Sequence, residues 1–112
     1  MPRIHFIERE KHFLRIEDNI FESWCWNVPP RTAQALIGGD IYFHEKQKEP
    51  SYYGGKILDY RIHESDEGAY AGCRGRVIFT FKYSREHKNV SAGEGGWAFM
   101  MKIVLDDNDT AV

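Results

Sequence analysis

Pro29-Pro30 and Gly38-Gly39 bracket the run Arg31-Thr32-Ala33-Gln34-Ala35-Leu36-Ile37, and the bracket leaves room for only about two turns of helix. Proline suits the first turn, where its missing N–H has no partner to lose. Glycine is the usual residue where a chain turns left-handed after a helix. The next residues, Asp40-Ile41-Tyr42-Phe43-His44, then change period from helix to strand. A chain whose clearest helix is this short has to build its core mainly from strands.

The alternation of apolar and polar residues places those strands. Residues 20–28 read as a strand with Ile20, Glu22, Trp24, Trp26 and Val28 on one face. Residues 41–45 put Ile41 and Phe43 on the core side, opposite Tyr42 and His44. Residues 56–63 place Leu58, Tyr60 and Ile62 together. Val77, Phe79, Phe81 and Tyr83 give the cleanest alternation, and the last strand, 97–105, aligns Trp97, Phe99, Met101, Ile103 and Leu105. Residues 4–19 mix both periods and are read as an edge strand followed by a turn near Glu17-Asp18-Asn19. The expected fold is mainly β (α+β): a closed or nearly closed small barrel of five to six strands with one or two short helices. Residues 1–105 form one domain and 106–112 an acidic, frayed tail. The loops 46–55 and 84–96 are long enough to suggest function.

Charge narrows the partners. The 112 residues carry a net charge of −2, so any nucleic-acid contact has to come from a local patch and not from overall basicity. Cys25 and Cys73 form no CxxC and are read as reduced thiols in a cytoplasmic protein. No stretch is apolar for the length a bilayer requires, so no membrane partner is expected.

A strand with Trp26-x-Val28, a short helix and a strand opening on Gly39-Asp40 resemble the PUA-like superfamily, and most of all its EVE and ASCH domains. The resemblance covers roughly residues 20–105, although the Gly-x-Lys-x-x-Glu-x-Arg signature of ASCH domains is absent. It implies a module that binds RNA or a modified base in an aromatic pocket with a few polar groups at the base edge. On that resemblance the ligand-binding candidates are Trp24, Trp26, Tyr42, His44 and Trp97, with Arg74 and Arg76 holding a phosphate.

Each candidate has a plainer reading. Trp24 and Trp26 can equally fill a core. His44 can be a rim histidine, or a general acid or base if the same barrel is a small enzyme or binds a small molecule. A third possibility is an interaction module that pairs through an edge strand. His5, His12, His44, His63 and His87 show no metal-ligand spacing, so no metal or cofactor is expected. The Gly93-Glu94-Gly95-Gly96 loop lacks the order of a phosphate-binding P-loop and reads as a flexible hairpin tip. Lys46, Lys48 and Lys56 interleave with Tyr52 and Tyr53 as single-strand binders do, but Glu45 and Glu49 dilute them into a solvated loop. No nucleophile elbow is present, and the expected protein has no catalytic residues.

Overall fold

The computed structural model describes residues 2–105; the tail expected to fray, 106–112, lies outside the described residues. The chain runs β1 (Arg3–Ile7), β2 (Leu14–Glu17), β3 (Ile20–Trp26), α1 (Pro30–Leu36), β4 (Asp40–His44), β5 (Tyr53–Ile62), β6 (Val77–Tyr83) and β7 (Met101–Val104). One-turn 3₁₀ helices cover Gly68–Tyr70 and Arg85–His87. Across the described residues the protein is mainly β, with one short α-helix, as the sequence implies.

All strands belong to one sheet, in the order β2-β3-β6-β5-β4-β1-β7. The sheet does not close into the expected barrel: β2 and β7 end it and do not pair with each other. It nevertheless curls strongly, because the Phe6 ring on β1 stacks on Trp26 of β3 at 4.0 Å although three strands separate them in the sheet. The first strand is not an edge. It runs parallel to β4 and antiparallel to β7, between the two.

α1 begins with Pro30 at its first position and ends where Gly38 turns to φ +86°. The Gly38 N–H donates to the Ile57 carbonyl. The Gly39 N–H donates to Leu36, so the helix hands over directly to β4. A side chain at Gly39 would strike the carbonyl of Pro2, whose oxygen would lie 2.2 Å from a Cβ there. Ala33 and Leu36 bring the helix into the main core with Ile4, Phe6, Trp26, Ile41, Phe43, Ile57, Val77, Phe79 and Phe81.

Besides a register shift at Arg15–Glu17 between β2 and β3, two bulges reset the alternation of core strands. Between Glu22 and Cys25 the β3–β6 register shifts, with Ser23 and Trp24 facing Phe79. The buried Ser23 hydroxyl accepts the Phe79 N–H, which the ladder leaves unpaired. Trp24 and Trp26 therefore do not share one environment: Trp26 enters the main core, while Trp24 packs on a second cluster of Cys25, Tyr70, Cys73 and Ile78. A second shift between Ile57 and Asp59 separates the residues expected to share one face: Tyr60 packs on the core while Leu58 is 46% exposed, and Ile57 is buried instead. The last strand is also shorter than expected. Residues 98–101 form a turn bridged by Ala98 and Met101, and β7 starts only there.

The cysteines are not free. Cys25 and Cys73 form a disulfide, buried at 2% and 0% exposure, that ties β3 to the 68–75 loop. The two lie 48 positions apart in sequence, so no local motif could have paired them. The bond corrects the reading of reduced thiols. Among the described residues no helix is long and apolar enough to cross a membrane.

Candidate functional site

Alternation in β1, β4 and β7 places a second set of side chains opposite the apolar core. His5 lies between Tyr42 and Lys102 in register, and Ile7 faces His44. His5 and His44 are both fully buried. Their hydrogen bonds run in one direction. The Arg3 Nε donates to His5 Nε2 at 3.2 Å. His44 Nδ1 can only donate to the Glu49 carbonyl, at 2.8 Å, so its Nε2 accepts from His5 Nδ1 at 2.9 Å. This chain needs both imidazoles neutral. Burial, helped by the charges of His44, Arg3 and Lys102, pushes the His5 pKa down to about 3. Burial also lowers that of His44, against the hydrogen bond to Glu49.

Tyr42 is held between two rings, His5 at 4.7 Å and His87 at 5.0 Å. His87 Nε2 meets Asp40 Oδ1 at 2.8 Å, and Lys56 lies 3.1 Å from the same oxygen. Burial raises the Asp40 pKa, but the His87 and Lys56 hydrogen bonds outweigh it and hold the carboxyl below its usual value. Gly54, across from Tyr42, makes the room: a Cβ there would sit 3.0 Å from His87 Cβ and 2.3 Å from the Ile41 carbonyl oxygen.

The segment after β6 covers this polar face. The Ser51 N–H donates to the Val90 carbonyl, and the Lys102 ammonium to the Ala92 carbonyl. Trp97 then presents its edge to His44 with centroids 5.7 Å apart. On its outer side Trp97 joins Gln47, Lys48, Ser91 and the Gly93–Gly96 segment around a groove of about 730 Å³.

The other candidates lie where the curled sheet fails to close. Trp24 is half-buried, with His12 4.7 Å and Tyr70 5.5 Å from its ring. The Tyr70 hydroxyl donates to Glu22, which also takes a two-pronged contact from Arg61. Trp24 and His12 line a small cleft with Lys11, and also a neighbouring groove with Trp26, Arg76 and Arg9. The Trp26 indole N–H on that wall is buried and has no acceptor among the described residues.

These hollows adjoin one another. The Trp24–Arg76 groove shares Ile7, Arg9 and Met100 with a third, which adds Lys46 and Phe99. The third shares Gln47 and Lys48 with the Trp97 groove. Together they form one band from Tyr70 to Trp97, lined by Lys11, Arg9, Arg76, Lys46 and Lys48 against Glu8, Glu10 and Glu94. Phe99 stands out on it. Its ring is 95% exposed on a backbone with φ +57°, and Gln47 Nε2 donates to its carbonyl. An exposed aromatic side chain on a left-handed residue is a costly arrangement that commonly marks a functional position.

The seven sequence candidates thus separate. Trp24, Trp26 and Arg76 share a groove, and Trp97 lines the far end of the same band. His44 meets the Trp97 ring and has both ring nitrogens occupied, and both faces of Tyr42 are covered by His5 and His87. They support the cover and do not face the groove. Arg74 lies in the 68–75 loop, exposed and outside the band. The sequence reading missed Arg9, Lys11 and His12, which sit in a segment without a clear period, and Phe99, which it placed on the inward-alternating last strand although it lies in the turn before β7. The described residues hold no cluster of His, Cys, Asp and Glu suited to a metal ion. No protein-family model matches the chain, and no curated protein or solved structure matches it.

Proposed function

We propose that the protein is a PUA-like module that binds single-stranded nucleic acid, RNA or a strand carrying a modified base, along the band from Trp24 to Trp97, without chemistry of its own. The continuity of that band carries the reading. Aromatic rings alternate with cations along it, and this is the pairing that lets unpaired bases stack while the backbone is neutralised. Five of the chain's fifteen lysines and arginines line this band, in a protein whose net charge is −2. Trp24 and Phe99 supply open aromatic surface, and Arg9, Arg76, Lys46 and Lys48 lie between and beside them. An acid–base role for His44 has less support, since the imidazole offers no free nitrogen to a substrate.

The disulfide bears on location. The cytoplasmic reading rested on reduced thiols, and buried disulfides form and persist mainly in oxidising compartments.

Fluorescence anisotropy with an end-labelled, unstructured RNA of about ten nucleotides tests the function. The expected result is binding that weakens with salt, with a log–log slope no steeper than about −3.5, since each of the five cations contributes about 0.7. Duplex RNA of the same sequence should bind far more weakly. No binding of either form, or equal binding of both, would refute the reading.

A further inference from the structure

Lys102 is the unexplained charge in this fold. It points from β7 into the polar face and is 8% exposed. Its ammonium donates to the Ala92 carbonyl, and among the described residues it has no ion-pair partner. An ammonium carries three donors. Burying one against a single carbonyl is costly unless a counter-charge arrives. The nearest groups are no help, because His5 is held neutral and Arg3 is itself a cation.

The ammonium lies directly under the glycine segment that walls the Trp97 groove. A Cβ on Gly93 would sit 3.5 Å from Lys102 Nζ, and one on Gly96 would sit 3.2 Å from Cε. Only the bare backbone of this segment separates the buried charge from the groove. Lys48 and Trp97 also line the groove. The one opposing charge is Glu94, which is exposed.

We infer that this groove is a phosphomonoester site, in which Lys48 takes the phosphate, the Lys102 ammonium beneath the glycine segment adds its positive field, and Trp97 takes the attached base. The site goes beyond the strand-binding reading and does not depend on it. Two sources share the chemistry: a free nucleoside monophosphate and the terminal phosphate of a strand lying in the band. A dianion in the groove supplies the counter-charge that Lys102 lacks across the glycine backbone, and its acceptor oxygens suit the Lys48 ammonium. A groove of about 730 Å³ lies within the size range of small-molecule sites.

Isothermal titration calorimetry with adenosine 5′-monophosphate, adenosine and inorganic phosphate tests the site. The monophosphate should bind at least about tenfold tighter than adenosine. Lys48→Gln should weaken the monophosphate several-fold and leave adenosine unchanged, while Glu94→Gln should tighten it. Lys102→Met should abolish the difference between the two ligands. If Lys102→Met does not fold, the opposite signs of the two exposed variants decide. Equal affinity for monophosphate and adenosine in the wild type, or variants that shift both ligands alike, would overturn the site and leave Lys102 as a clasp on Ala92.

Oligonucleotides separate the sources. If a 5′-phosphate tightens a short RNA and Lys48→Gln removes the gain, the strand end is the ligand. If only the free monophosphate discriminates, the ligand is a mononucleotide. Binding of the monophosphate with no binding of any strand would sink the strand reading and keep this site; strand binding indifferent to terminal phosphate, with adenosine and its monophosphate equal, would do the reverse.

Discussion

Residues of β1 and β4 are divided between two buried faces of one sheet, and the faces are stabilised by different means. Ile4, Phe6, Ile41 and Phe43 point into an apolar core where fit and area matter. His5, Tyr42 and His44 point the other way, where stability depends on each polar atom having a partner and each imidazole staying neutral. The first face tolerates any change of pH and little change of volume. The second tolerates neither a lost partner nor an added proton. The comparison explains why the strands are so regular here: a one-residue slip would exchange the two faces completely.

The largest effect should come from the apolar face. Phe43→Ala removes a fully buried ring in contact with Phe6, Phe13 and Phe81, and should cost about 3–5 kcal/mol in a urea unfolding series. A loss below about 1 kcal/mol would mean that this face is not the core. Next comes the staple on β3. Reducing Cys25–Cys73, or replacing both residues with serine, should cost about 4 kcal/mol on the chain-entropy argument for a loop of this length. It should also loosen Tyr70 from Trp24, read as a change in tryptophan emission.

The polar face gives smaller, pH-dependent effects. His44→Leu strands the His5 Nδ1 donor and the Glu49 carbonyl and should cost about 1–3 kcal/mol. The wild type should show a linked acid dependence. His5 falls from an ordinary value of 6.5 to about 3 on folding, so below pH 6.5 the unfolded chain binds the extra proton. Stability is therefore complete above pH 6.5 and declines as pH falls from there towards 3. The groups around His5 are Arg3 on its own strand, Tyr42 and His44 on β4, and Lys102 on β7; none supplies a negative charge to rescue the imidazolium. A His5→Leu variant should flatten the urea midpoint between pH 6.5 and 4, and an unchanged slope would place the dependence elsewhere.

Much of this contrast is visible in the amino-acid order. Val77, Phe79 and Phe81 announce their face by alternation, and so do Ile41 and Phe43 against Tyr42 and His44. The proline–glycine bracket gives α1 almost to the residue. What alternation could not show is where it is broken. The bulge at Ser23-Trp24 puts neighbouring tryptophans into different clusters, and the one near Leu58 separates Leu58 from Tyr60, which were expected on one face. Both depend on the partner strand, which local sequence does not encode. The parallel pairing of β1 with β4 and the Cys25–Cys73 bond are likewise long-range facts. The band was legible only in part. Trp24, Trp26, Arg76 and Trp97 are conspicuous residues, whereas Arg9, Lys11 and Phe99 acquire meaning only when the curled sheet brings their loops together.

The smallest stability effects and the largest binding effects should fall on that band. Phe99→Ala should leave the urea midpoint nearly unchanged and Trp24→Ala should lower it modestly by removing a half-buried ring from the Tyr70 cluster, yet each should weaken a single-stranded RNA by about 1–3 kcal/mol if its ring stacks on a base. The most direct measurement is photo-crosslinking of a short RNA containing 4-thiouridine at successive positions, with the adducts mapped to residues. Adducts at Trp24 from one end of the strand and at Phe99 or Trp97 from the other, in an order that follows the band, are the predicted result. Adducts confined to the lysine loop, or scattered without order along the strand, would contradict it.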